Sequence, residues 1–396
     1  MTIGGSTASA ELDALTAFAE IAPAIGVDER DARMTKARRL TAGIGAQALL
    51  IGAGTSLRYF TGVPWEASER LVAMLLPVDG DPILFCPAFE LGSLEADLKI
   101  KVEIRLWQED ESPSLLVADA LREAGVTRLA VDPMLAFQMV ERLRAKAGID
   151  YVDAAPVVDG CRMVKSAAEL ALMQQAKTMT LEVQRRAARM LVPGITSTAV
   201  KSFIDAAHKK LGATGYSFCI VQFGRATAYP HGLPGEQTLR EGDVVLIDTG
   251  CRVEGYHSDI TRTYVFGQAS AEQRSIWELE HGAQAAAFDA VRPGVACEAV
   301  DAAARGFLTR AGLGPDYRLP GLPHRTGHGI GLAIHEPAYL VRGDRTPLEP
   351  GMCFSNEPMI VIPDRFGIRL EDHFHVTETG AKWFTEPSPS IDRPFG

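Results

Sequence analysis

Cysteine is sparse: Cys86, Cys161, Cys219, Cys251, Cys297 and Cys353 are scattered through 396 residues with no CxxC or comparable spacing. That pattern excludes a thiolate-rich zinc site and a disulfide framework, and it fits reduced, mostly buried thiols. Long apolar runs are missing too. No stretch approaches the roughly 20 residues of a membrane-spanning helix, and a composition of 46% apolar and 23% charged residues is that of a globular chain with no membrane partner. Basic charge is short, with 40 Lys and Arg against 50 Asp and Glu, and the net charge of -10 argues against a nucleic-acid partner. The N-terminal stretch has no basic start, and Glu11, Asp13 and Glu20 interrupt its apolar residues, so no secretory signal is expected and the cytoplasm is the expected compartment. No phosphate-cradling glycine loop is present.

What the chain has is length enough for two cores, and a visible repeat. The expected domains are 1–160 and 161–396. From Ala32 to Asp159, apolar pieces such as ALLIG, VEIRLW and RLAVDP alternate with helical SPSLLVADALREAG and AFQMVERLRAKAG, and Asp79-Gly80 reads as a hairpin turn. This is a mixed α/β domain. Beyond it, LVPGITSTAV (191–200) and VRPGVACEAV (291–300) share Pro-Gly and Ala-Val at the same offsets. Each follows a long helix opened by a capping box, Ser166 with Glu169 and Ser270 with Gln273, and stopped at Pro-Gly. Strand-like sequence follows in both halves. The second domain is therefore expected to be α+β, two helix-pair-plus-strands units about a pseudo-twofold axis.

The repeat carries acids. Asp248 lies six residues after Gly242, and Glu357 lies six after Gly351. Asp259, eleven residues beyond Asp248 across a turn-rich segment, would face it in a hairpin, and two carboxylates so close call for a cation. Alone, the pair reads equally as a turn cap and a solvated acid. Glu357 and Glu371 sit in apolar strands where an unpaired charge is expensive, and each half is expected to supply one early and one later acid. His328, in a glycine-rich loop, adds an imidazole, although such a histidine is often an ordinary surface residue. Four oxygen donors with one imidazole suit manganese, cobalt, iron or zinc. His231, His324 and His335 are candidates for substrate contact or for fixing loops. Arg369, two residues before Glu371 and so on the same strand face, is expected to hold one of the ligand carboxylates.

Taken together, Asp248, Asp259, His328 in GHGIGLAIHE, Glu357 in NEP and Glu371 in GIRLED resemble the ligand pattern of the pita-bread metallopeptidases, the group of methionine aminopeptidases, aminopeptidase P and prolidase. The likeness spans about 162–377, and the preceding part resembles the creatinase-type domain found ahead of it in aminopeptidase P and prolidase. The resemblance implies two divalent metal ions, manganese first among them. Asp248 would bind one ion, Asp259 and Glu371 would bridge both, and His328 with Glu357 would hold the other. It also implies a metal-bridging hydroxide that hydrolyses the bond before proline, with Glu357 relaying a proton and His231 and His335 contacting substrate. The substrate would be a small Xaa-Pro peptide, and the assembly a homodimer in which an N-terminal segment such as Pro64-Trp65 covers the partner's cleft. One departure stands out: many relatives have tyrosine four residues after the glutamate of the EP motif, where this chain has Val361. Aminopeptidase P activity, hydrolysis of another small amide such as ectoine, and a metal-free peptide-binding scaffold remain the alternatives.

Overall fold

Residues 3–396 are described by a computed structural model, in which the chain divides into two units: Ile25–Arg162, and the described residues up to Ala24 together with Met163–Gly396. The sequence places 1–160 together. In the structure the first residues instead join the second unit. Helix α1 (Ala8–Asp13) carries Glu11, which is buried and pairs with Arg186 and Arg189. A carboxylate out of water needs such cations, and they lie in the last turn of a helix of the second unit. The side-chain amide of Gln175 also accepts from the Ala22 N–H and donates to the Glu20 carbonyl.

The first unit is built on a six-stranded sheet formed by β1 (Ala48–Gly52), β2 (Ala73–Pro77), β3 (Ile83–Pro87), β4 (Glu103–Trp107), β5 (Arg128–Val131) and β6 (Asp150–Asp153), in the order β4-β3-β2-β1-β5-β6. The three strands β1, β2 and β3 pair antiparallel, and the expected hairpin turn lies between the last two. Outer strands pair parallel, which requires helical crossovers. Helix α2 (Val27–Gly43) leads into β1 and α3 (Thr55–Thr61) joins β1 to β2; the crossovers are α4 (Leu91–Asp97), α5 (Pro113–Glu123) and α6 (Phe137–Arg144), and α7 (Ala155–Arg162) follows β6. Every residue of β1, β2 and β3 is buried, as expected of strands covered on both faces.

In the second unit the duplication is explicit. Helices α8 (Ala167–Arg189) and α9 (Ser197–Leu211) precede β7 (Phe218–Phe223), β8 (Val244–Gly250), the short β9 (Arg252–Val253) and β10 (Tyr256–His257), and β11 (Ile260–Val265). Helices α10 (Ala271–Asp289) and α11 (Cys297–Arg310) precede β12 (Gly327–Gly329), β13 (Glu336–Leu340), β14 (Cys353–Asn356), β15 (Met359–Ile362), β16 (Phe366–Arg369), β17 (Asp372–Val376) and β18 (Ala381–Trp383). Both predicted capping boxes form. Gly194 and Gly294 adopt the same left-handed backbone, φ +85° and +84°, and donate to Leu239 and Leu348, which occupy matching places. The sheets are antiparallel, ordered β11-β8-β7 in one half and β13-β12-β14-β17-β18 in the other.

Strand register shows which residues correspond. Asp248 lies opposite Thr261 on β8 and β11. Asn356 lies opposite Asp372, so one step further Glu357 faces Glu371. Glu371 therefore corresponds to Thr261 rather than to Asp259, and the residue that corresponds to Asp259 is Arg369. The expected symmetry of one early and one later acid per half is corrected accordingly. Thr261 and Glu371 bridge each other directly, which puts them on the axis. Their neighbours Arg262 and Asp372 form a bidentate buried ion pair, 2.7 and 3.1 Å.

Candidate active site

At this axis the five sequence-selected residues come together, and nearly all their polar atoms are removed from water. Asp248 lies within the wholly buried β8, Asp259 precedes β11, and Glu371 precedes β17; they are 7%, 5% and 1% exposed. His328 is the centre of β12, which fits between its neighbours because Gly327 and Gly329 have no side chain. A Cβ there would come within 2.1 Å of the Ser355 carbonyl or 2.5 Å of the Glu336 carbonyl. The glycine-rich loop is thus a buried strand, not a surface turn. His328 Nδ1 donates to the Gly329 carbonyl (3.0 Å), which turns Nε2 towards the acids, 3.1 Å from Glu357 Oε1 and 3.9 Å from Asp259 Oδ2. Ser355 Oγ accepts from the His328 N–H and donates to Glu357.

Donor atoms of Asp259, His328 and Glu371 all lie within 4.8 Å of one another. Asp248 joins through Arg369, whose guanidinium contacts Asp248 Oδ2 and donates to Thr261 Oγ1 (3.1 Å) and the Pro230 carbonyl (3.5 Å). Thr261 in turn donates to Glu371 Oε2 (2.7 Å). Arg369 is buried, so its pairing with Asp248 is not a surface salt bridge. Among the five site residues, three buried carboxylate oxygens have no hydrogen-bond partner: Asp248 Oδ1, Asp259 Oδ1 and Glu371 Oε1. Orphaned acceptors of this kind are rare in folded proteins. Three of them on acids grouped around one imidazole fit hard or borderline divalent cations.

The electrostatics agree. Burial, reinforced by repulsion from Glu371, Asp248 and Glu357, raises the Asp259 carboxyl well above the ordinary range, and Glu371 is raised in the same way by burial, Glu357 and Asp248. Asp248 is raised by burial against the pull of Arg369. Glu357 goes the other way: burial pushes it up, but the hydrogen bond and charge of His328, with His324 and Arg369 beyond, outweigh burial and hold it low. A divalent cation beside these acids would offset the repulsion that raises them.

The remaining candidates line the open side. His335 is exposed, with its ring perpendicular to that of His328 at 4.3 Å between centroids, and burial with the neighbouring His328 and Arg325 holds it down to about 4. His231 is also exposed and follows Pro230, the residue touched by Arg369. His324 donates from Nδ1 to the Arg325 carbonyl (2.7 Å), and its Nε2 is buried without a partner. Val361 lies in β15 opposite Gly367, is 3% exposed and belongs to the apolar core. The position of the expected tyrosine is therefore filled by apolar packing. Sequence reasoning missed Thr261, the Arg262–Asp372 pair, and His373, whose two ring nitrogens are buried without partners 3.8 Å from Glu371 on the Nε2 side. Thr261 could have been found only from the register.

Residues 171–378 match the model of metallopeptidase family M24 and residues 33–164 that of the creatinase/prolidase N-terminal domain. The chain belongs to this metallopeptidase family. Its fold is accordingly a creatinase-type N-terminal domain followed by the duplicated pita-bread domain. Among curated relatives, the probable dipeptidase PepE of Mycobacterium tuberculosis is 39% identical over 352 residues, covering 88% of this chain and 92% of that one. The Xaa-Pro dipeptidase of Lactobacillus helveticus is 33% identical over 343 residues, covering 85% and 92%. The crystal structure of a prolidase from Thermococcus sibiricus superposes with a TM-score of 0.81 at 29% identity, covering 90% of this chain and 97% of that one. Among the described residues, no helix is long and apolar enough to cross a membrane.

Proposed function

We propose that the protein hydrolyses the peptide bond preceding proline in Xaa-Pro dipeptides, using two divalent ions held by Asp248, Asp259, His328, Glu357 and Glu371. The observation that carries this reading is that Asp259, His328 and Glu371 bring donor atoms within 4.8 Å of one another, while Asp248, Asp259 and Glu371 each keep one buried carboxylate oxygen without a partner. When bound, such ions lower the pKa of a water and stabilise negative charge on the scissile carbonyl oxygen. The chain's own residues supply the rest. Arg369 and Thr261 orient Asp248 and Glu371 through the contacts described above. Glu357, with a side chain 14% exposed, is the acid that can take a proton and pass it to the leaving nitrogen. His231 and His335, on the exposed side, contact the substrate carbonyl, and His324 and His335 are placed for the free carboxylate of a dipeptide.

The donor set of carboxylates with one imidazole supports manganese, with zinc, cobalt and iron as the other ions it fits. All six cysteines are free, which supports a reducing cytoplasm, and the family likeness supports a homodimer. The test is an assay of manganese-loaded protein on Ala-Pro, on a longer Xaa-Pro peptide and on an N-acetylated diamino acid. Turnover chiefly of Ala-Pro is expected. Preference for the longer peptide would make the protein an aminopeptidase P, turnover of the acetylated amide alone would make it a small-amide hydrolase, and no bound metal would leave a binding scaffold. The apolar environment of Val361 is the reason to keep the first two arms, because it removes a hydroxyl that many relatives place there.

A further inference from the structure

Two glutamines on the long helices make the same contact in both halves. Gln184 lies seven residues before Leu191 and Gln284 seven before Val291, so they occupy equivalent places in the repeat. Both are buried. Gln184 Nε2 donates to the carbonyls of Ile247 (2.9 Å) and Ile260 (2.8 Å). Gln284 Nε2 reaches the carbonyls of Asn356 (3.2 Å) and Leu370 (3.2 Å) and Asp372 Oδ2 (3.3 Å), while its own main-chain carbonyl accepts from Asn356 Nδ2 (2.9 Å). An amide group has two N–H donors, and in the first half both are satisfied by strand carbonyls. The Gln184 Oε1 has no partner, so this side chain is held through its donors alone.

The four clamped carbonyls are not arbitrary. Ile247 precedes Asp248, Ile260 follows Asp259, Asn356 precedes Glu357 and Leu370 precedes Glu371. Each acid of the candidate metal centre is thus joined directly to a residue whose carbonyl a helix glutamine holds. An apolar side chain would fill the same space without the cost of burying an amide, and what it could not do is fix two strands to each other at the level of the ligands. We infer that Gln184 and Gln284 are positioning residues that set the spacing of the acidic side chains and thereby the affinity of the metal centre. The inference rests on the dinuclear reading above. It deepens that reading by adding the elements that hold the ligand strands. Because the Gln184 bonds are shorter, Gln184 carries more of this role than Gln284.

The test is titration of the chelator-stripped full chain with Mn2+ by calorimetry and electron paramagnetic resonance, alongside thermal melts. Gln184→Met should weaken Mn2+ binding by about tenfold to hundredfold, in the range seen for groups that orient ligands, and Gln284→Met should do so to a smaller extent. Val183→Ala, a fully buried apolar position on the same helix, should lower Tm while leaving Mn2+ affinity as in the unsubstituted chain. If Gln184→Met folds too poorly to titrate, Gln184→Glu keeps the shape but sets acceptors against the carbonyls, and it should show the same loss. Unchanged affinity in the glutamine variants, or an equal loss in Val183→Ala, would overturn the inference. An unsubstituted chain that binds Mn2+ but leaves every Xaa-Pro bond intact would sink the substrate reading alone, whereas one that binds no divalent ion would overturn both.

Discussion

Mn2+ added to the stripped protein should drive protons into solution, because the acids that would hold it have raised pKa values. The protons come from Asp259 and Glu371, whose carboxyls are held well above the ordinary range by burial and then by their acidic neighbours. Each must leave before its oxygen can take a cation, and each makes the apparent affinity climb about tenfold per pH unit, equivalent to about 1.4 kcal/mol. The same protons give the metal-free fold a definite pH dependence. A carboxyl with a raised folded pKa keeps its proton after the unfolded chain has lost it. Its stabilising effect is therefore complete below about pH 4 and declines, by about 1.4 kcal/mol per unit, as pH rises to the raised value. Buried histidines work in the opposite sense lower down. Burial holds His208 to about 4, so stability rises with pH from there to about 6.5, the value in the unfolded chain. Lys177, held down to about 8 by burial, also favours the fold as pH rises above that value. Between about pH 6.5 and 7.5 the carboxyls act alone among these groups. Calorimetry in buffers of different ionisation enthalpy counts the protons directly. Affinity that is flat across this interval with no proton release would refute the reasoning, and so would a stripped protein that grows more stable as pH rises there.

Three further outcomes follow from the geometry. Asp259→Ala should leave the fold intact by circular dichroism and cut kcat/KM by at least about a thousandfold, since the metals are assigned about 4 kcal/mol or more of barrier lowering; retained activity would remove Asp259 from the ligand set. His335→Ala should lower kcat by about a hundredfold, the scale of losing one donor to a developing oxyanion, with metal content unchanged by elemental analysis; a change confined to KM would make it a ground-state contact. Asp372→Ala, which strands Arg262 in the interior, should cost roughly 3–5 kcal/mol in urea unfolding, and a loss under about 1 kcal/mol would show that the pair is not needed.

Local signals carried most of what the sequence revealed. Ser166 with Glu169 and Ser270 with Gln273 mark helix starts because a capping box closes within four residues, and both are present. Asp248 and Glu357 were legible from their matching places in the repeat, and Arg369 from the two-residue period of a strand. What was not legible depends on register. Nothing in the sequence says that Glu371 stands where the other half has Thr261, or that Arg369 stands in the place of Asp259, because these matches follow from which strand residues lie opposite one another. The attachment of Glu11 to Arg186 and Arg189 was hidden for a similar reason, since about 175 residues separate the partners. Gln184 and Gln284 are a different case. Their hundred-residue offset is the one already visible in the Pro-Gly repeats, and the signal was overlooked because a lone glutamine in a helix ordinarily faces water.

The pairing of Thr261 with Glu371, and of Arg262 with Asp372, bears on why the two halves share one chain. In a dimer of identical subunits the residue on the twofold axis must meet its own copy. Glutamate would then face glutamate, and an arginine would face another arginine. Only halves that can mutate independently can set a hydroxyl against a carboxylate on the axis and a cation against an anion beside it. Covalent linkage also lets one half carry a guanidinium where the other carries Asp259, so a nearly symmetric scaffold presents two chemically different faces to whatever enters it. A peptide has an amino end and a carboxyl end, and a strictly symmetric site could not tell them apart.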